Sequence, residues 1–167
     1  LGLANYFRRF IKDYAGIVDP LIQLTNKASD VARQWSERHD HAFASIKEAL
    51  SSAPLLVHPD FSKPFELVSD ASLIGTGAVL LQEGHPIAYT SKRFSKAEKN
   101  YTTTEQEMLG IVRALQEWRC YFTGDDGDLR LVTDHNPLTY FQSKATLSRR
   151  LERWVDFMSA FNYTWEY

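Results

Sequence analysis

The chain has 167 residues, 44% of them hydrophobic and 13% aromatic, which is enough apolar surface for one good core and a smaller satellite and excludes a disordered polypeptide. Its formal net charge of −2 excludes nucleic-acid binding by bulk electrostatics alone, so any such contact must come from local patches or a larger parent molecule. No apolar run approaches the roughly 18 residues that span a bilayer, and the single cysteine, Cys120, excludes a disulfide framework or a multi-cysteine zinc site.

The first third of the chain is expected to be helical. Residues 5–13 place Tyr6, Phe7, Phe10 and Ile11 among Arg8, Arg9 and Lys12, a pattern for a helix with one buried and one cationic face. Asp19-Pro20 looks like a cap and a first-turn proline opening a short helix through Leu21, Ile22 and Leu24. From Ser36, the spacing of Phe43, Ile46 and Leu50 predicts a third helix, ended by Ala53-Pro54. The opening LGLANYFRRF has neither an initiator methionine nor a signal-peptide layout, and reads as the start of an excised piece.

The pattern changes after Pro59. Strands are expected over 65–69, 75–81 and 87–90, the last two joined by a Glu83-Gly84 turn into an antiparallel meander. A long helix follows over about 103–121, then a strand over 129–133, a helix over 148–161 and a strand over 163–167. Three strands followed by helix, strand, helix, strand predict an α/β domain with a mixed sheet. Cys120, at the end of the long helix, is expected to be packed, and one cysteine fits a reducing, intracellular compartment.

Three acids invite a chemical reading. Asp70 follows FELVS and Asp134 follows LRLVT, each just past a strand's last apolar residues, where α/β sheets commonly place their sites. Either could simply cap a turn. The long helix adds Glu105 and Glu107 on opposite margins of the face made by Met108, Ile111, Val112, Leu115 and Trp118, and periodicity does not choose between them. Two strand-end carboxylates and one from a helix suit Mg²⁺, a hard cation that takes oxygen ligands and keeps water.

The blocks SDASLIGTGAVLLQ, PIAYTSK, NYTTTEQEMLGIVRALQEWR and LVTDHNPL, in this order and spacing, resemble the ribonuclease H domain of gypsy-type LTR retrotransposon polyproteins. GLANYFRRFIKDYAGIVDPLIQLT and SSAPLLVHPDFSKPF resemble the segment that joins the polymerase to that domain. The resemblance implies a ribonuclease H-like mixed sheet over 59–167, lacking its final helix, preceded by a helical connection segment over 1–58. It implies Asp70, Glu107 and Asp134 as catalytic and metal-holding residues, with two Mg²⁺ ions (Mn²⁺ as a substitute) as cofactor. It further implies hydrolysis of the RNA strand of an RNA–DNA hybrid, with the polymerase portion of the same polyprotein as a partner. The family's fourth acid belongs to a helix beyond the last strand. The same fold could instead serve as an inactive structural or interaction module in a larger polyprotein or a host protein derived from one.

Further residues are candidates for nucleic-acid contact. Arg149, Arg150 and Arg153 begin an amphipathic helix whose other face is Leu147, Leu151, Trp154, Val155 and Met158, and they read either as phosphate contacts or as surface arginines. Tyr101 and Thr104 precede or open the site helix and suit sugar or phosphate contact, or merely a helix cap. His135 stands beside Asp134. The acidic run from Gly124 to Asp128 lacks calcium-loop spacing and reads as a polar turn.

Overall fold

The computed structural model describes residues 1–26, 34–52, 56–122, 129–133 and 148–166. Asp134, His135, Leu147 and the acidic run therefore lie outside the described residues.

Five strands form one mixed sheet in the order β3-β2-β1-β4-β5. These are β1 (Phe65–Ala71), β2 (Gly75–Gln82), β3 (His85–Arg93), β4 (Leu129–Val132) and β5 (Tyr163–Glu166). The first three make the expected antiparallel meander, while β1 pairs in parallel with β4 and β4 with β5. The β2–β3 turn uses positive φ at both Glu83 (50°) and Gly84 (77°), the conformation a two-residue hairpin needs to match the strand twist. Glycine takes it without cost; Glu83 is steadied by a 2.9 Å pair with Lys63.

Alternation along β1 buries Phe65, Leu67 and Ser69 and sends Val68 and Asp70 to the other face. The buried face carries helix α4 (Thr103–Glu117; numbered after the three helices described next), with Met108, Ile111, Val112 and Leu115 packed on Leu67, Leu80 and Leu131. Helix α5 (Arg149–Met158) closes the same core through Leu151 and Met158. The face is apolar at helical and strand periods together, so α4 has only one way to bury it.

The N-terminal third is helical, but not in the expected pieces. Helix α1 (Gly2–Tyr6) and a 3₁₀ turn (Arg8–Phe10) replace the continuous helix over 5–13. The residues buried there are Ala4, Ile11 and Tyr14, while Tyr6 is 77% exposed, so the aromatic spacing misassigned the inner face. Asp19-Pro20 does not open a helix either. Pro20 lies inside α2 (Tyr14–Asn26) and Asp19 is buried. An interior proline removes one backbone donor and crowds the carbonyl of the preceding turn, a cost set here against the burial of Val18, Leu21 and Leu24 on the same helix. Helix α3 (Glu37–Ser51) starts after Ser36 as expected, with Ile46 inward but Phe43 half exposed.

Ala4, Ile11, Tyr14, Val18 and Ile46 form a second, smaller core. It is joined to the sheet along the edge strand: the backbone N–H of Ala15 donates to Ser91 Oγ at 2.9 Å, and Asp19 pairs with Arg93. Two further expectations are corrected. Cys120 is exposed, because α4 ends at Glu117 and the chain turns through a 3₁₀ segment (Arg119–Tyr121) that directs Tyr121 and Phe122 to the core instead. Val155 is also exposed, since the buried stripe of α5 runs through Leu151 and Met158.

Candidate functional site

Asp70 sits inside β1, opposite Gly77 of β2 and two residues past Val68, the last β1 residue paired with β4. Asp70 is exposed. It borders a cleft of about 420 Å³ that is also lined by Ser72, Tyr89 and Thr90, and by Lys12 and Asp13 from the N-terminal segment. A cation and a second acid from that segment were not anticipated, since nothing in sequence spacing links residues 12 and 13 to residue 70.

Glu107 lies on the sheet side of α4 and is 8% exposed. One turn further on, Gly110 faces Ser69 so closely that a Cβ there would stand 2.5 Å from Ser69 Oγ. Glycine is what lets the helix approach β1 at Ser69. Asp70 thus stands near the end of β1, and Glu107 in the helix packed on that strand. Among the described residues no group of three or more Asp, Glu, His or Cys side chains is close enough to hold a metal ion, and the third candidate, Asp134, is not among them.

Glu105, the neighbour that periodicity could not separate from Glu107, has a different use. Its backbone N–H donates to Thr102 Oγ1, and its Oε2 accepts from the Thr102 backbone at 3.0 Å, a closed capping box. Its Oε1 accepts from Arg150 Nη1 at 2.9 Å. The Thr-x-x-Glu spacing is a readable cap signal, and it would have separated the two acids. Tyr101 stacks under the Arg150 guanidinium, whose Cζ is 3.8 Å from the ring centre. Thr104 is half-buried; Arg149 and Arg153 are exposed, with Arg153 Nε donating to the Arg149 carbonyl.

The order and pairing of the strands, with helices packed on one face and an aspartate near the end of the central strand, define a ribonuclease H-like fold. Residues 35–128 match the family described as an RNase H-like domain found in reverse transcriptase, more than half of the chain, and the protein belongs to that family. The chain is 37% identical over 97% of its length to the retrovirus-related Pol polyprotein from transposon opus of Drosophila melanogaster, covering 17% of that protein. It is 35% identical to the Pol polyprotein from transposon gypsy of the same organism, with 97% of the chain and 16% of the relative covered. It is 36% identical to the transposon Tf2-3 polyprotein of Schizosaccharomyces pombe, with 100% of the chain and 13% of the relative covered. The chain therefore spans less than a fifth of these relatives. The resemblance to gypsy-type retrotransposon polyproteins is borne out.

In solved structures the fold recurs in the foamy viral protease-reverse transcriptase dRH in complex with ds DNA. That match has a TM-score of 0.79 at 23% identity and covers 99% of this chain and 30% of the other. The foamy viral enzyme in complex with RNA/DNA hybrid gives 0.77 at 23% identity, with 99% and 23% covered. No helix among the described residues is long and apolar enough to cross a membrane.

Proposed function

We propose that this chain is the ribonuclease H portion of a retrotransposon reverse transcriptase, hydrolysing the RNA strand of RNA–DNA hybrids with divalent metal. One observation carries the reading: Val68 pairs with Val132 across β1 and β4, and in the sequence an aspartate, Asp70 or Asp134, follows each of these valines by two residues. Residues 1–58 are then the connection segment and 59–167 the nuclease-like domain, with the polymerase portion of the polyprotein as its neighbour in an intracellular setting.

Asp70, Glu107 and Asp134 would hold the metal. All three offer carboxylate oxygens, the hard ligands that Mg²⁺ and Mn²⁺ take, and two of them stand on a strand and a helix rather than on loops. When bound, two such ions supply an activated water and stabilise the departing 3′ oxygen. The chain's own contribution is placement. Asp70 is reachable at the rim of its cleft, Glu107 is fixed by the close packing of α4 on β1, and Lys12 brings a positive charge to the cleft that phosphate would enter. Selectivity for RNA would rest on 2′-hydroxyl contacts, with weak sequence preference.

A catalytically silent module is the second reading, favoured by the net charge of −2, which gives little general attraction for a duplex. Cleavage of an end-labelled hybrid in Mg²⁺ and Mn²⁺, by this chain and by a longer piece of its polyprotein, separates the two. Cutting that Asp70→Asn and Asp134→Asn abolish establishes the nuclease. Silence from both lengths leaves the module.

A further inference from the structure

Arg150 opens α5, and both of its partners lie at the start of α4. Its Nη1 donates to Glu105 Oε1 at 2.9 Å, and its guanidinium lies over the Tyr101 ring at 3.8 Å. Trp154, one turn along α5, meets the same ring at 6.2 Å between centroids. The other Glu105 oxygen accepts from the Thr102 backbone at 3.0 Å and from the Thr102 hydroxyl at 3.2 Å. One carboxylate, only 12% exposed, therefore joins the cap of α4 to the first turn of α5. Glu107 follows two residues later in the same helix, directly after the capped turn.

We propose that Arg150 is a positioning residue for Glu107: its clamp on Glu105 and Tyr101 holds the first turn of α4, and with it the Glu107 carboxylate, in place. This rests on the nuclease reading above. The chemistry of the clamp favours it over a phosphate contact. A guanidinium stacked on a ring and paired with a carboxylate already has its charge engaged, so a phosphate would have to compete with Glu105.

The test compares Arg150→Ala and Arg150→Lys, on the same polyprotein piece that cuts hybrid, with thermal unfolding as a folding control. A misplacement of about 1 Å costs on the order of a hundredfold, so Arg150→Ala is expected to lower kcat about ten- to a hundredfold with KM nearly unchanged. Lysine is not expected to rescue, because it lacks the planar guanidinium that stacks on Tyr101. A raised KM at unchanged kcat, rescued by lysine and with a shallower salt dependence, would make Arg150 a phosphate contact and overturn the proposal. Amide hydrogen exchange over residues 103–107 decides the clamp without activity: faster exchange in Arg150→Ala supports it, and unchanged exchange overturns it. If the wild-type protein cuts no hybrid, the nuclease reading fails by itself, and the exchange result still judges the clamp.

Discussion

Asp19 on α2 and Arg93 on β3 form an ion pair across the joint between the helical segment and the sheet, with Asp19 Oδ1 2.6 Å from Arg93 Nε. The contact is one of charge rather than an aligned hydrogen bond. Gln23 donates to the other Asp19 oxygen, and Arg38 approaches it at 3.8 Å. β3 is an edge strand, and the helical segment covers part of its length through this pair and the Ala15–Ser91 hydrogen bond.

The two halves of that pair should not be equivalent. Asp19 is almost wholly buried, whereas Arg93 keeps 30% of its side chain in water. Arg93→Ala strands a buried carboxylate and is expected to cost about 3 kcal/mol, the low end for a broken buried pair because Arg38 remains nearby. Asp19→Ala leaves a cation that can turn to solvent and should cost clearly less. Urea unfolding of both variants measures the difference, and equal losses would mean that the pair's burial is not what makes it matter.

Gly110 faces Ser69, and an added methyl would collide with the Ser69 hydroxyl. Gly110→Ala gains helix propensity of about 1 kcal/mol, but overpacking costs about 1–3 kcal/mol, so a net loss of stability is expected. Removing the obstacle in Gly110→Ala/Ser69→Ala should return most of it. Thermal midpoints of the two single variants and the double variant complete the cycle, and simple additivity would contradict the contact.

Thr102 caps α4 through its hydroxyl, and Glu105 closes the box. Thr102→Ala should lower stability by about 1 kcal/mol. Thr102→Ser keeps the oxygen and should be close to neutral in the same denaturant titration.

Glu98 supplies the pH dependence. Burial works to raise its carboxyl, but hydrogen bonds from the Ser95 backbone and hydroxyl and the adjacent Arg113 guanidinium outweigh it and hold the group below its ordinary 4.5. A depressed carboxyl binds its proton more readily in the unfolded chain. The stability it contributes is therefore present above about pH 4.5 and is lost as pH falls through the lower folded value. Glu98→Gln should flatten that acid limb, measured as unfolding free energy against pH between roughly 5 and 3, while leaving Arg113 with its weaker contact to Thr76.

Much of the sheet was legible because its evidence is local. The Glu83-Gly84 turn, the alternation of Phe65 and Leu67 against Val68, and the α4 stripe from Met108 to Leu115 each show within a few residues. The N-terminal segment was misread for the opposite reason. Tyr6 and Phe7 have the spacing of a buried face, but α1 is too short to choose a face by periodicity, and packing against α3 chose Ala4 and Ile11. Of the candidate acids, Asp134 is expected from the sequence as a strand-end aspartate, and the residue itself lies outside those described.

By itself, then, the order of residues determined which segments alternate, which are amphipathic and where acids follow strands, since those properties depend on near neighbours in the chain. Tertiary structure alone decided that Pro20 is interior, that Asp19 belongs to Arg93, that Lys12 and Asp13 line the Asp70 cleft, and that Glu105 serves Arg150 while Glu107 faces the sheet. Each of those outcomes joins residues far apart in the chain, and a charge or a small side chain has no periodic signature of its distant partner until the core has brought the two together.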